Sequence, residues 1–433
     1  MKKTFLWISG AGACVFILLL GVIFLLPDDA ANEGSGAGDG IQHDTAEGDF
    51  SEPPVPATVS QVDWTWDAPE GARIGRIHPV PTGAVLQLND GVVGLNTETG
   101  QTAWTYRIPD TDVDVAVSPD GASVVVSVEG RLVVLDSRTG EQKHSLEHGY
   151  SDPDSLTLST AGLVADAGML TSQEEGGVVI DLTPWSESEE GWRTAALQCP
   201  SGENASELDQ AFLTEARVIL VYACGADEEV MSGIDVTNGE QQWVLPLEGF
   251  DYTGRHEFSA VGDIALLENI STDRGTVVID TENGELISGE LPDGLDNDLL
   301  RVLPEGYLAV REDQGGGLHY ELRDFSNEVQ ESLFVDPEDA AGSITSFLPM
   351  QDSFLKLTFV DGGPDTQISV FDWGGEGSRE NIALPIETEV LGLASLQESD
   401  AAMGPGSFEV APGAVILMGY PSAGQIDQIV GMN

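Results

Sequence analysis

The protein has 433 residues, of which 74 are Asp or Glu and 17 are Lys or Arg, so its formal net charge is −57. Because every contact with a phosphate group requires a cation, this composition excludes nucleic-acid binding and disfavours anionic lipid surfaces. A hydrophobic fraction of 41% is still enough for a folded chain with a sizeable core.

The N-terminal residues predict a membrane anchor. The segment Phe5–Leu26 contains no Asp, Glu, Lys or Arg and would form roughly 33 Å of helix, enough to cross a bilayer. Two lysines precede it and two aspartates follow it, so the positive-inside rule places residues 1–4 in the cytoplasm and the rest outside. We therefore expect a single-pass protein of the cell membrane whose remaining residues are extracytoplasmic.

Two alternatives to an uncleaved anchor remain open. A cleaved signal peptide would have a shorter apolar region and a small-x-small cleavage site, whereas Pro27-Asp28-Asp29 follows here. Cys14 could be a lipid-attachment site, but the apolar segment Val15–Leu26 would then remain beyond the cleavage point. Residues 27–60 are rich in Gly, Ser, Pro and acidic residues, and we expect them to form a flexible linker.

From Gly83 onward one pattern recurs: an apolar strand, a tight turn, a second apolar strand, and then an Asp or Asn followed by a turn that contains Gly. Alternating apolar residues bounded by Gly and Asn or Asp predict antiparallel strands. The clear copies are residues 91–108, 130–147, 230–248 and 275–291, and the weaker copies are 176–197, 316–335, 366–384 and 413–432.

Eight repeats with a mean spacing of about 46 residues predict four-stranded blades of a β-propeller. The predicted fold is therefore all-β: an eight-bladed propeller over residues 61–433, with seven blades as the alternative, preceded by one transmembrane helix. The strand-like segment Val62–Trp66 lies outside the repeats, and we expect it to close the ring by completing the last blade. Trp104, Trp192 and Trp243 each follow a turn closely, which predicts packing between blades.

The repeat segments LNTETGQTAWTYRI, LDSRTGEQ and IDVTNGEQQW resemble the repeat of pyrroloquinoline-quinone-like (PQQ-like) propellers, which also occurs in the outer-membrane barrel-assembly lipoprotein of Gram-negative bacteria. The resemblance covers most of residues 61–433. It implies the propeller fold but no particular activity, because this fold serves enzymes and non-enzymatic scaffolds alike.

The sequence contains no sharp signature of catalysis or of a cofactor. Quinone-dependent dehydrogenases of this superfamily carry adjacent cysteines near the cofactor, which this chain lacks, so we expect neither quinone nor any other cofactor. A weak calcium site is left open at two acidic clusters, although neither has the spacing of a calcium loop. These clusters are Asp110, Asp112 and Asp114, and Asp293, Asp296 and Asp298.

Cys199 and Cys224 are the only cysteines after the expected anchor, where an oxidising compartment permits a disulfide. Cys199 follows the outer strand of the third predicted blade, and Cys224 ends the second strand of the fourth. Both strand ends lie on the same side of a propeller, so we expect a structural disulfide between them.

The favoured functional hypothesis is a non-catalytic scaffold that binds a protein or envelope component through one acidic face. The loops between blades, and those between the second and third strands, would line this face and attract a cationic partner. The candidate residues are Asp110, Asp112, Asp227, Glu228, Glu229, Asp296, Asp298, Asp336, Glu338 and Asp339.

Two other interpretations stay open. The same acidic loops could serve solubility alone. The chain could also be an extracellular enzyme or a sensor of a small ligand or ion that uses the central channel. The few lysines and the short anchor favour a bacterial source, and the oligomeric state is not predicted.

Overall fold

The computed structural model describes residues 40–48, 51–128, 131–147, 164–173, 176–186, 188, 190–214, 216–225, 229–247, 256–269, 277–287, 299–303, 305–314, 316–336, 345–359, 366–375, 377–384, 408–418 and 427–433. Regular secondary structure within these residues is entirely β-strand. No helix in this part of the chain is long and apolar enough to span a membrane. The tail predicted at 1–4 and the transmembrane helix predicted at 5–26 lie outside the described residues.

The described strands form antiparallel sheets that follow one another along the chain. Sheet 1 contains β1 (Gln42–Asp44), β3 (Ile74–Val80), β4 (Gly83–Leu88), β5 (Gly91–Asn96) and β6 (Gln101–Arg107). Sheet 2 contains β7 (Asp114–Val117), β8 (Ser123–Val128), β9 (Arg131–Asp136) and β10 (Gln142–Glu147). Sheet 3 contains β11 (Val164–Ala165), β12 (Gly168–Gln173), β13 (Val179–Pro184) and β14 (Trp192–Arg193). Sheet 4 contains β15 (Glu207–Leu213), β16 (Arg217–Ala223), β17 (Glu229–Asp235) and β18 (Gln241–Pro246).

Four further sheets complete the described part of the chain. Sheet 5 contains β19 (His256–Val261), β20 (Ile264–Asn269) and β21 (Val277–Asp280). Sheet 6 contains β22 (Leu299–Leu303), β23 (Gly306–Glu312), β24 (Leu318–Asp324) and β25 (Val329–Val335). Sheet 7 contains β26 (Thr345–Pro349), β27 (Ser353–Phe359), β28 (Thr366–Asp372) and β29 (Glu380–Ala383). Sheet 8 contains β30 (Phe408–Ala411), β31 (Ala414–Met418), β32 (Gln428–Met432) and β2 (Val62–Asp67). Successive four-stranded antiparallel sheets of this kind are the architecture of a β-propeller.

The closing strand predicted at Val62–Trp66 is confirmed. Strand β2 pairs antiparallel with β32 from the other end of the chain, with Trp64 opposite Gly431 and Trp66 opposite Ile429. Sheet 8 therefore takes its outer strand from the N-terminal side of the chain. The backbone groups of β32 that face β2 are paired and do not form an exposed sheet edge.

Apolar residues fill the spaces between neighbouring sheets. One core cluster joins sheets 8 and 1 through residues such as Trp64, Ile416 and Leu86, and another joins sheets 7 and 8. The second and third strands carry the longest buried runs, as in the fully buried strand β31. Strands buried on both faces are continuous apolar stretches, so these inner strands depart from the alternating pattern that the sequence analysis expected.

The predicted packing of Trp104, Trp192 and Trp243 between sheets is confirmed. The indole Nε1 of Trp104 donates a hydrogen bond to the carbonyl of Ser137 in the next sheet at 2.9 Å. Trp192 and Trp243 donate in the same way to Val236 and Thr281 of their next sheets, at 2.8 and 3.0 Å.

The turn glycines explain how these indoles approach so closely. Gly140 has φ +69° and a Cβ there would lie 2.7 Å from the Trp104 ring, so the position needs Gly on both counts. Asn327, with φ 68°, takes the equivalent turn position in sheet 6, consistent with the tolerance of Asn for this conformation.

Residues 42–48 and 51–60 differ from the expected flexible linker. Strand β1 pairs with β6 as a fifth strand of sheet 1, and the chain that follows makes backbone hydrogen bonds with several sheets. Val59 is completely buried in the core between sheets 7 and 8. Composition missed this because the segment has few large apolar residues and is held by backbone groups instead. Residues 27–39 of the expected linker lie outside the described residues.

Candidate functional site

Each of these antiparallel sheets has two ends, and the topology assigns every connection to one of them. Turns between the first and second strands and between the third and fourth strands lie at one end, which we call the turn end. Turns between the second and third strands, and the connections from one sheet to the next, lie at the opposite end, which we call the loop end. The acidic face predicted from the sequence corresponds to the loop end.

Four of the ten predicted acidic residues are described, and they lie in three different connections. Asp110 and Asp112 are exposed in the connection between β6 and β7. Glu229 is half-buried at the start of β17, and Asp336 is exposed directly after β25. The structure thus brings Asp110 and Asp112 together but puts Glu229 and Asp336 in other sheets. Six predicted residues lie outside the described ones: Asp227, Glu228, Asp296, Asp298, Glu338 and Asp339.

A buried ion pair supports the connection that carries Asp110 and Asp112. Arg107, at the end of β6, donates to both carboxylate oxygens of Asp90, from Nε at 3.0 Å and from a terminal nitrogen at 2.5 Å. Their side chains are only 7% and 5% exposed. The amide of Ile108 donates to the Asp90 carbonyl at 2.7 Å, and the amide of Val113 donates to Asn89 at 3.1 Å. A bidentate pair of this kind fixes both ends of the acidic connection.

The loop end also contains a carboxylate pair that the sequence did not predict. Burial, together with the negative charge of Asp209 in β15, raises the pKa of Glu229 to about 7. Asp209 is far from Glu229 in the sequence, and only the pairing of β15, β16 and β17 brings them near one another. Glu229 can therefore change its charge near neutral pH.

A second carboxylate pair lies at the turn end, between sheets 2 and 3. Burial, a hydrogen bond with Asp120 and the charge of Asp120 raise the pKa of Asp166 to about 6. Burial would raise the pKa of Asp120 as well, but hydrogen bonds from Asp166, the Ser118 hydroxyl and the Ala122 amide lower it. Asp166 is therefore the member of the pair that takes up a proton first as the pH falls.

Cys199 and Cys224, the pair predicted from the sequence, form a disulfide whose Cα atoms are 5.7 Å apart. Both cysteines are buried, and the bond joins the connection that leaves sheet 3 to the end of β16 in sheet 4. The Tyr222 hydroxyl adds a hydrogen bond to the carbonyl of Gln198 at 3.2 Å. The disulfide is a structural cross-link between sheets 3 and 4.

Carboxylates at the loop end are not gathered into a metal centre in the part of the chain that the structure describes. No group of three or more His, Cys, Asp or Glu side chains there could hold a metal ion. Asp110 and Asp112 have a third acidic neighbour in sequence, Asp114, but the three do not converge.

Basic side chains are largely occupied by carboxylates. Among the described residues, eight arginine or lysine side chains form ion pairs with Asp or Glu, and they are Arg107, Arg138, Lys143, Arg193, Arg217, Arg311, Arg323 and Arg379. Lys356 is only 1% exposed in β27. The large surplus of acidic groups therefore determines the charge of the surface.

A cavity of about 180 Å³ lies at the turn end, beside sheets 1 and 2. Ser51 and Pro53 form one wall, and Asn96, Glu98 and Arg138 contribute polar groups to the other. The cavity is thus on the opposite side of the sheets from the predicted acidic face.

The repeated sheets, the closing strand and the buried indoles agree with the comparison by family. The PQQ_2 family model, described as outer membrane protein assembly factor BamB, matches residues 56–297. This chain belongs to that PQQ-like repeat family. No curated protein matches it closely enough to suggest a more specific function.

Solved structures similar to this PQQ-like repeat protein have low identity. The WD40 domain of SCAP from fission yeast is 12% identical, with a TM-score of 0.46 over 85% of this chain and 98% of that one. A quinohemoprotein alcohol dehydrogenase from Pseudomonas putida HK5 is 12% identical, with a TM-score of 0.42 over 89% of this chain and 78% of that one. Dihydro-heme d1 dehydrogenase NirN is 15% identical, with a TM-score of 0.40 over 79% of this chain and 75% of that one. Likeness at this level gives no information about activity.

Proposed function

We propose that this protein is a membrane-tethered, extracytoplasmic propeller of eight blades that acts as a non-catalytic scaffold and binds a cationic protein partner at its loop end. Family membership over residues 56–297 is the observation that carries the proposal, because the family description is that of an assembly factor. The eight blades correspond to sheets 1–8, with sheet 8 closed by β2.

Charge supports the choice of partner. The chain has 74 acidic and 17 basic residues, and the basic side chains of the described part are mostly paired already. Asp110, Asp112 and Asp336 are exposed at the loop end. A partner with Lys or Arg at its contact surface would be steered to this end, and its association rate would fall as salt screens the charges.

The positions of the two carboxylate pairs support a non-catalytic role. Groups that act together on one substrate must all lie within hydrogen-bond reach of its reacting atoms, so two pairs at opposite ends of the sheets cannot form one acid–base site. Asp120 and Asp166 lie at the turn end, whereas Asp209 and Glu229 lie at the loop end. Burial is the main cause of the raised pKa values of Asp166 and Glu229, so these values need no catalytic interpretation.

One observation favours the alternative of an enzyme or sensor that uses a central channel. Burial and the nearby charge of Arg76 lower the pKa of His78, in the first strand of sheet 1, to about 4. A neutral imidazole of this kind is suited to ligand binding. His78 is near Gln87, with 3.4 Å between Nε2 and Oε1, which also fits a purely structural histidine.

Photo-crosslinking in native membranes tests the scaffold proposal. Lysine-directed reagents are unsuitable, because Lys143 and Lys356 are the only lysines after the expected anchor and Lys356 is buried. A photoreactive residue at Thr111, between Asp110 and Asp112, should capture one dominant envelope protein. The same residue at Glu141, exposed at the turn end, is the matched control and should not capture it.

Charge-removing variants test the contribution of the acidic connection. Asp110→Asn with Asp112→Asn should reduce capture from position 111 severalfold. Glu98→Gln with Glu282→Gln, which removes the same charge from exposed turns at the opposite end, should leave it unchanged. Equal capture by both double variants would contradict the proposed contact surface. Loss of binding or turnover of a small molecule on His78→Ala would favour the channel alternative.

A further inference from the structure

Residues 42–48 and 51–60, which we call the strap, contact several sheets. The strap begins as β1 on the outer edge of sheet 1, where Gln42 pairs with Arg107 and Asp44 with Thr105. This direction carries the chain from the loop end to the turn end. The strap then crosses turns of other sheets before β2 begins at Val62.

The first part of the strap is bound to the turn between the third and fourth strands of sheet 2. The amide of Ala46 donates to the carbonyl of Thr139 at 2.8 Å. The His43 ring hydrogen-bonds through Nε2 to the carbonyl of Gly140, also at 2.8 Å. Arg138 of the same turn donates to Glu52 at 2.6 Å.

The second part of the strap is bound to sheets 7 and 8. The amide of Gly413, in a turn of sheet 8, donates to the carbonyl of Pro54 at 2.9 Å, and the amide of Asp352, in a turn of sheet 7, donates to Ala57 at 2.9 Å. Arg379 donates to the Thr58 hydroxyl at 2.9 Å. Val59 then enters the core between sheets 7 and 8.

These contacts bridge the place where the two ends of the chain meet. Sheets 8 and 1 share one core cluster, and the hydroxyl of Thr97 in sheet 1 donates to the carbonyl of Pro412 in sheet 8. A Cβ at Gly413 would lie 2.7 Å from the Thr97 hydroxyl and 3.1 Å from the Pro53 ring. The strap, sheet 1 and sheet 8 are therefore closely packed around the turn that contains Gly413.

We infer that the strap is a second clasp of the propeller, which ties sheet 2 to sheets 7 and 8 across the junction already closed by β2 and β32. Ring-shaped folds open most readily where distant parts of the chain are joined by one strand pair, because local unfolding begins at the weakest cooperative unit. Backbone hydrogen bonds on both sides of the junction oppose that opening. A chain segment attached only as a tail would protect its direct partners and nothing else.

Hydrogen exchange on the full-length chain separates a clasp from a tail. Deletion of residues 42–58 should accelerate exchange at the direct donors Asp352 and Gly413 in either case. A clasp predicts in addition that amides of β32, which pair with β2 and not with the deleted residues, exchange about tenfold faster, equivalent to about 1.4 kcal/mol. Amides of β16 in sheet 4 should keep their rates.

Deletion of residues 28–39 from the same full-length chain is the control for shortening, and it should leave the exchange of β32 unchanged. If strand β32 keeps its exchange rates when residues 42–58 are absent, the clasp is refuted and the strap is only a tail.

A point variant keeps the test valid if the deleted chain does not fold. Arg379→Ala removes the contacts with Thr58 and Val59, together with an ion pair to Asp372 within sheet 7, and for a clasp it should accelerate exchange of the β32 amides. Arg311→Ala removes an ion pair of sheet 6 that does not touch the strap and should have no such effect. Equal exchange of the β32 amides in the two variants would also refute the clasp.

Discussion

Trp64 and Gly431 face each other across the β2–β32 pair, and the Trp64 ring occupies the space that a Cβ at position 431 would need. The same indole donates to the carbonyl of Thr97 in sheet 1 at 2.6 Å. Its other neighbour is the turn glycine Gly100, where a Cβ would lie 2.6 Å from the ring. Sheets 8 and 1 are thus joined by one tryptophan held between two glycines, and the arrangement recurs at Trp104 and Trp243 with their own pairs of glycines.

Gly431→Ala should destabilise the protein by about 1–3 kcal/mol, because the added methyl group overlaps the Trp64 ring in a packed core. Denaturant unfolding followed by tryptophan fluorescence measures the change. Gly75→Ala is the matched control, since the nearest atom to a Cβ there is 3.8 Å away. Equal midpoints for the two variants would show that the indole site is not tightly packed.

Arg107→Ala should cost about 3–5 kcal/mol, because it leaves the Asp90 carboxylate buried without its cation. Lys143→Ala breaks a pair whose side chains are 37% and 25% exposed, and it should cost less than about 1 kcal/mol. Chemical denaturation of both variants gives the comparison. A small loss for Arg107→Ala would mean that water reaches Asp90 in the folded protein.

Stability should rise as the pH falls from 8 towards 5. The pKa of Asp166 is raised to about 6 and that of Glu229 to about 7, in each case mainly by burial, so the native state binds more protons than the unfolded state in this range. The stabilisation is fully present below the unfolded pKa values and is lost as the pH rises through the folded ones. Thermal unfolding midpoints between pH 5 and pH 8 measure the trend.

Asp166→Asn and Glu229→Gln should each flatten this pH dependence. At more acidic pH the trend reverses. Burial would raise the pKa of Asp136, but a hydrogen bond and the charge of Lys143 hold it below its usual 3.8, and the resulting stabilisation is lost on protonation. An unchanged slope between pH 5 and pH 8 in both variants would contradict the assignment of the titrating groups.

Removal of the disulfide by Cys199→Ser with Cys224→Ser should lower stability by about 2–4 kcal/mol, because the bond closes a loop with a sequence separation of 25. Both cysteines are buried, so a mild reductant should not open the bond in the folded protein. Thiol labelling with and without denaturant, alongside unfolding curves, tests both statements. Rapid labelling of the native protein would show that the two sheets separate locally.

The sequence by itself determined the repeat, because buried second and third strands must be continuously apolar and the turns between strands need Gly or Asn. It also determined the closing strand, since Val62–Trp66 is strand-like and stands outside the repeats. The cysteine pair followed from the order of strands within a blade, which fixes which strand ends meet.

Tertiary structure alone decided the contacts between residues that are distant in the chain. Asp209 and Glu229, or Asp120 and Asp166, become neighbours only when strands pair and sheets pack, so no local pattern predicts the raised pKa values of Glu229 and Asp166. The strap is a similar case. Its sequence has the composition of a linker, and it is held in place because backbone amides of Asp352 and Gly413 in other sheets point at its carbonyls. Backbone groups carry no sequence signal, so only the folded arrangement of the sheets could show where that segment binds.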